Sequence, residues 1–81
     1  MQHSLTLYRI DPARNMQRFY RLDIQPDLFG NQCLIREWGR IGRTCQVRSV
    51  PYPTGDEAQY AFHRQRETKE QRGYYPIPFK A

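Results

Sequence analysis

The sequence predicts an α+β domain of two layers, an antiparallel sheet of about four to five strands with one helix packed on one face. Three observations predict it. Apolar and polar residues alternate with period two along several stretches before Pro51. Short connections rich in Pro, Gly, Asp and Asn join those stretches, and short connections make neighbouring strands antiparallel, because a parallel pair needs a crossover of a dozen residues or more. One later stretch carries a helix start signal, an apolar stripe at helical spacing and a glycine stop. The 81 residues allow one such domain, 1–81, and no second core.

The first strand is expected over residues 5–10, where Leu5, Leu7 and Arg9 alternate with Thr6, Tyr8 and Ile10, and 11–15 reads as a turn. From Met16 the alternation is stronger. Met16, Tyr20, Leu22 and Ile24 share one face, whereas Gln17, Arg21, Asp23 and Gln25 share the other. Arg18 breaks the pattern on the apolar face and Phe19 on the polar one. Pro26-Asp27 and Gly30-Asn31 supply turn chemistry before a third strand at about 32–38. A glycine-bearing loop over 39–43 and a fourth strand at about 44–50 follow, and Pro51-Tyr52-Pro53 stops the sheet.

Thr54-Gly55-Asp56-Glu57 has the form of a capping box, in which the Thr54 hydroxyl and the Glu57 carboxylate satisfy backbone donors at the helix start. Asp56 and Glu57 sit at the positive end of the helix dipole, Lys69 and Arg72 at the negative end. Ala58, Ala61, Phe62 and Gln65 form a narrow stripe, and Gly73 is the left-handed stop. The tail from Tyr74 to Ala81 has prolines two apart, so both missing N–H groups fall on one edge. It reads either as an extended segment docked on a sheet edge or as a loose tail.

The net charge is +5, and eleven of the thirteen bases are arginine. Between Thr54 and Gly73 four bases meet four acids, so the whole surplus lies outside that segment, where nine bases face four acids. A localised basic surface is the electrostatic footprint of an anion-binding protein. Cys33 and Cys45 with two lone histidines make neither a disulfide framework nor a zinc site, so no metal and no cofactor is expected. The cysteines read as small half-buried hydrophobes in a reducing, cytoplasmic setting. No apolar run reaches membrane-spanning length. Neither a phosphate-binding loop nor a nucleophile elbow nor a His-Glu-x-x-His is present, which argues against an enzyme.

The distinctive chemistry lies at Trp38-Gly39-Arg40-Ile41-Gly42-Arg43. A large flat aromatic stands near Arg36, Arg40, Arg43 and Arg48, with Glu37 as the one neighbouring acid. Arginine grips phosphate with paired donors, tryptophan offers a plane for an unpaired base or a sugar, and glycine admits close backbone approach. The competing assignment makes Trp38 a core residue packed toward Phe62, on the same strand face as Leu34.

The string Arg36-Glu37-Trp38-Gly39-Arg40-Ile41-Gly42 resembles the signature of the WGR domain family. Phe19-Tyr20-Arg21-Leu22-Asp23-Ile24 resembles the family's opening aromatic strand, and Glu57-Ala58, Phe62 and Lys69-Glu70-Gln71-Arg72-Gly73-Tyr74 resemble its helix and Lys-x-x-x-Gly-Tyr close. The resemblance covers about 14–75, leaving 76–81 as an extended tail. It implies a twisted antiparallel sheet with one helix. In DNA-dependent poly(ADP-ribose) polymerases the domain binds DNA strand breaks, its tryptophan packing on a terminal sugar and its arginine contacting the DNA backbone and neighbouring domains. Here those roles would fall to Trp38 and Arg40, with Gly39 between them. No polymerase activity is implied, because 81 residues hold no transferase domain. The expected function is therefore nucleic-acid binding at DNA ends or nicks through Trp38, Gly39, Arg40, Arg43, Arg36 and Arg48, with RNA left open. The alternative is a protein–protein interaction module coupling to a separately encoded partner or enzyme.

Overall fold

A computed structural model describes residues 3–76 and shows a four-stranded antiparallel sheet with one helix against it. The strands are β1 (Ser4–Asp11), β2 (Met16–Pro26), β3 (Gln32–Arg40) and β4 (Gln46–Tyr52), followed by α1 (Gly55–Gln71). Sheet order follows chain order, β1-β2-β3-β4. The β1–β2 connection is a single 3-10 turn, Pro12–Arg14, closed by Asn15 in the left-handed region at φ 52°.

Period-two alternation sorts the side chains. Register pairs Leu7 with Tyr20 and Tyr20 with Trp38, and it pairs Leu5 with Leu22 and Ile24 with Leu34, so these residues share the face that meets α1. Leu7, Leu22, Leu34 and Phe62 are fully buried there, with Tyr20, Ile24 and Ala58 completing the core. Each large side chain contributes roughly 1.5–3 kcal/mol by leaving water. The opposite face carries the half-buried Phe19 and Ile35, and on it Arg21 pairs with Asp23 and Glu37 at 3.6 Å each.

The helix has its expected boundaries. Thr54 Oγ1 accepts from the Glu57 N–H at 3.2 Å. At the far end Gly73 has φ 91°, its N–H donates to the Glu70 carbonyl at 3.1 Å, and the Tyr74 N–H donates to the Lys69 carbonyl at 3.0 Å. That pair of bonds is a Schellman stop. Ala58 and Phe62 are buried and Ala61 and Gln65 half-buried, as the stripe predicts; Gln59 is buried as well.

Two expectations need correction. The loop expected over 39–43 begins later, because β3 continues through Arg40: Gly39 stands opposite Phe19 and Arg40 opposite Arg18 in the β2–β3 ladder. Gly39 and Arg40 are therefore strand residues and not loop residues. Strand β4 starts at Gln46 and runs through Pro51 to Tyr52, which Pro51 permits because an edge strand needs no N–H on its outer side. Of the tail, Tyr75 is docked, exchanging backbone hydrogen bonds with Tyr8 at 2.7 and 2.9 Å; residues 77–81 lie outside the described residues.

The β2–β3 hairpin tip is held from within. Asp27 Oδ1 accepts from the N–H groups of Phe29 and Asn31, each at 2.9 Å. These bonds, the Asn31 backbone bond foremost, hold the Asp27 carboxyl below the usual range. Leu28 and Phe29, at the tip, are 99% and 88% exposed.

Candidate nucleic-acid interface

Helix α1 covers only part of its sheet face, and what it leaves uncovered is basic. Beside the row formed by Leu7, Tyr20, Trp38 and Gln46 lie two rows of arginine. Arg9 stands opposite Arg18 and Arg18 opposite Arg40 on one side, and Arg36 stands opposite Arg48 on the other. Like charges directly opposite across a ladder disfavour folding, so this face accumulates positive charge at the fold's expense. Of the acids in these strands, Asp23 and Glu37 fall on the opposite parity, bound to Arg21, and Asp11, at the end of β1 on the arginine face, pairs with Arg14 at 3.7 Å. Strand geometry thus removes Glu37 from the neighbourhood of Trp38.

Two adjoining hollows share Trp38 and Lys69. One, of about 290 Å³, is bounded by Tyr20, Arg36, Gln65, Thr68 and Arg72 as well. The other, of about 430 Å³, adds Arg18, Gly39, Arg40 and Tyr74. Trp38 is half-buried between them, its ring stacked on Tyr20 with centroids 6.3 Å apart and planes inclined 28°. The indole packs on the core's edge through Tyr20 and also lines both hollows.

Arg40 is fixed in place. Its Nη1 donates to the Asn15 carbonyl at 2.9 Å and its Nη2 to Asn15 Oδ1 at 3.2 Å, so the left-handed residue that closes the β1–β2 turn also aims the guanidinium. Gly39 contributes backbone to the second hollow. A Cβ on it would lie 3.2 Å from Cys45 Cα and 3.4 Å from the Thr44 carbonyl oxygen, so a side chain there would crowd the backbone that closes the β3–β4 hairpin. Arg36 lines the first hollow and Arg48 lies across the ladder from it. Arg43 is separate, exposed in the turn after β3. Among the described residues the recorded ion pairs engage Arg14, Arg21 and Arg66, not Arg36, Arg40, Arg43 or Arg48.

Lys69, Arg72 and Arg18 complete the ring. The Lys69 ammonium lies 4.5 Å from the Tyr20 ring centroid and 5.4 Å from that of Tyr74, a cation–π seat between two aromatics. Burial, followed by repulsion from Arg72, Arg36 and Arg18, pushes the Lys69 ammonium below its ordinary pKa. Burial raises the Tyr20 phenol, against an opposing hydrogen bond from Arg36. A cationic hollow with an aromatic wall and guanidinium groups that form no ion pair among the described residues can hold a phosphate-bearing ligand with a flat or sugar face. Cys33 and Cys45 are free and half-buried, and among the described residues no helix is long and apolar enough to cross a membrane.

The model of the WGR domain family matches residues 3–80 of this chain. The uncharacterized protein y4dW of Sinorhizobium fredii is 41% identical over 76 residues, an alignment spanning 94% of this chain and 37% of that protein. This chain therefore covers little more than a third of that relative's length. No solved structure matches it.

Proposed function

The chain belongs to the WGR domain family, known for nucleic-acid-binding modules in poly(ADP-ribose) polymerases, and we propose that it binds DNA ends or nicks in the cleft around Trp38. The observation that carries this reading is the register: Arg18 opposite Arg40 and Arg36 opposite Arg48, on either side of Trp38 and on its face of the sheet. Facing arginines without carboxylates lower stability unless a polyanion neutralises them. The rows grip phosphates on both sides of the indole, and Trp38 takes the exposed face of a terminal nucleotide. An end or a nick presents such a face, whereas an intact duplex keeps its bases and sugars within the stack.

Fluorescence anisotropy with nicked, blunt, single-stranded and closed circular DNA across a salt series tests the reading. With about three to five phosphates neutralised, log K falls against log salt with a slope of roughly −3 to −4.5. Trp38→Ala costs roughly 1–3 kcal/mol on nicked and blunt DNA through lost stacking, and far less on closed circles. A flat salt response removes the DNA reading. Equal loss on every DNA form removes end recognition alone.

A further inference from the structure

Two features lie outside the hollows that share Trp38 and Lys69. One is the β2–β3 hairpin tip, where Leu28 and Phe29 stand almost wholly in water. Such a pair is uncommon on the surface of a soluble domain, where single exposed apolar residues are ordinary but adjacent large ones mark contact sites. The tip is also preorganised. Asp27 binds the N–H groups of Phe29 and Asn31 and the Asn31 side chain, and Gly30 has φ 86°, so little chain entropy is lost when these side chains are buried.

The second feature is a groove of about 750 Å³ between α1 and the end of β4, walled by Tyr52, Tyr60 and Ala61 and rimmed by Asp56, Glu57, Arg64 and Gln65, the last of which also borders the first basic hollow. Residues 56, 60 and 64 form one helical ridge and 57 and 61 the next, as spacing of four requires. Tyr60 is 66% exposed, with the Arg64 guanidinium 5.9 Å from its ring centroid. The groove and the tip belong to the same end of the fold: Tyr52 stands opposite Gln32, the residue that follows the hairpin turn, and α1 begins at Gly55 directly after β4.

We propose that two copies of this chain pair across that end, each seating Leu28 and Phe29 in the Tyr52–Tyr60 groove of the other. An apolar protrusion and an apolar-walled groove on one end of one molecule are self-complementary, and a two-fold axis satisfies both at once and closes the assembly at two. Four inserted side chains with their groove walls bury of order 1,000 Å², the lower limit for a specific interface, so the pair is weak and concentration-dependent. This pairing does not depend on what the clefts bind.

Sedimentation equilibrium on the full chain from about 10 µM to 1 mM tests it, a range suited to an interface near that lower size limit. The mass rises from that of one chain toward twice that value. Leu28→Ser with Phe29→Ser keeps the monomer mass throughout, and because both side chains are exposed its melting temperature stays at the parent value. Tyr60→Ser, altering the groove and not the tip, weakens pairing at least tenfold. A constant monomer mass for the parent up to about 1 mM overturns the proposal, since an interface of that size would be populated there. So does a dimer that survives either variant, including one built on another face of the sheet.

Discussion

Replacing Arg48 by glutamine should make the protein more stable and a poorer DNA binder. Arg48 is exposed on the edge strand, directly opposite Arg36, and pairs with no carboxylate among the described residues. A like-charged cross-strand pair costs roughly 0.2–1 kcal/mol, which Arg48→Gln relieves. In a domain of this size about 1 kcal/mol moves the melting temperature by roughly 4–8 °C, so the expected rise is about 1–8 °C. The same change removes one phosphate contact. The slope of log K against log salt then becomes shallower by about 0.9, and affinity near 0.1 M salt falls roughly five- to tenfold. Thermal melts at low ionic strength read the first quantity and an anisotropy salt series the second. Salt itself provides a control, because the gain in melting temperature shrinks as the Debye length falls from ~30 Å at 0.01 M to ~3 Å at 1 M. A lower melting temperature, or an unchanged slope, would refute the idea that these arginines are held together for a ligand.

Three further outcomes are expected. Gly39→Ala should lower the denaturant midpoint by an amount equivalent to about 1–3 kcal/mol, because the new methyl meets Cys45 Cα, a backbone atom that cannot swing aside; a neutral result in urea melts would show that the hairpin has slack. Asp27 titrates below its unfolded value, so its stabilising contribution is present above an unfolded pKa of about 3.9 and disappears as pH falls through the lower folded value. Asp27→Ala should accordingly match the parent's stability at the acid end of a pH series and fall behind it near neutrality, and a constant difference across pH would contradict the assignment. Lys69 is pushed down by burial and by Arg72, Arg36 and Arg18, and a bound polyanion reverses part of that push. DNA binding should therefore take up a proton under alkaline conditions and weaken as pH rises through the lowered pKa of Lys69. Calorimetry in buffers of different ionisation enthalpy measures the uptake, which Lys69→Met should abolish.

Much of this architecture was legible in the chain. Thr54, Glu57 and Gly73 marked the helix because capping chemistry is local and leaves few alternatives. Strand existence followed from alternation, but strand ends did not. Gly39 looked like a loop residue because glycine commonly is one, and only the approach of Cys45 shows why a strand needs it there. The site was read by proximity in sequence around Trp38, which gathered Arg36 and Arg40, both lining the hollows, but also drew in Glu37, which alternation places on the far face. Lys69 and Arg72 were hidden by charge balance, since their segment carries no net charge while its bases nearest the cleft lie at its C-terminal end. Arg18 did leave a signal. It was the one base on the apolar side of β2, and a charge at a core-facing position implies that the cover stops short of it.

The meander order of the sheet bears on how the chain reaches this state. Each strand pairs with the one made just before it, so every hairpin can zip without closing a long loop, and low contact order favours rapid folding. The contact between Tyr8 and Tyr75 is the exception, joining opposite ends of the described chain. Its two amides should gain protection last during refolding and lose it first under native-state hydrogen exchange, making that clasp the earliest point of fraying.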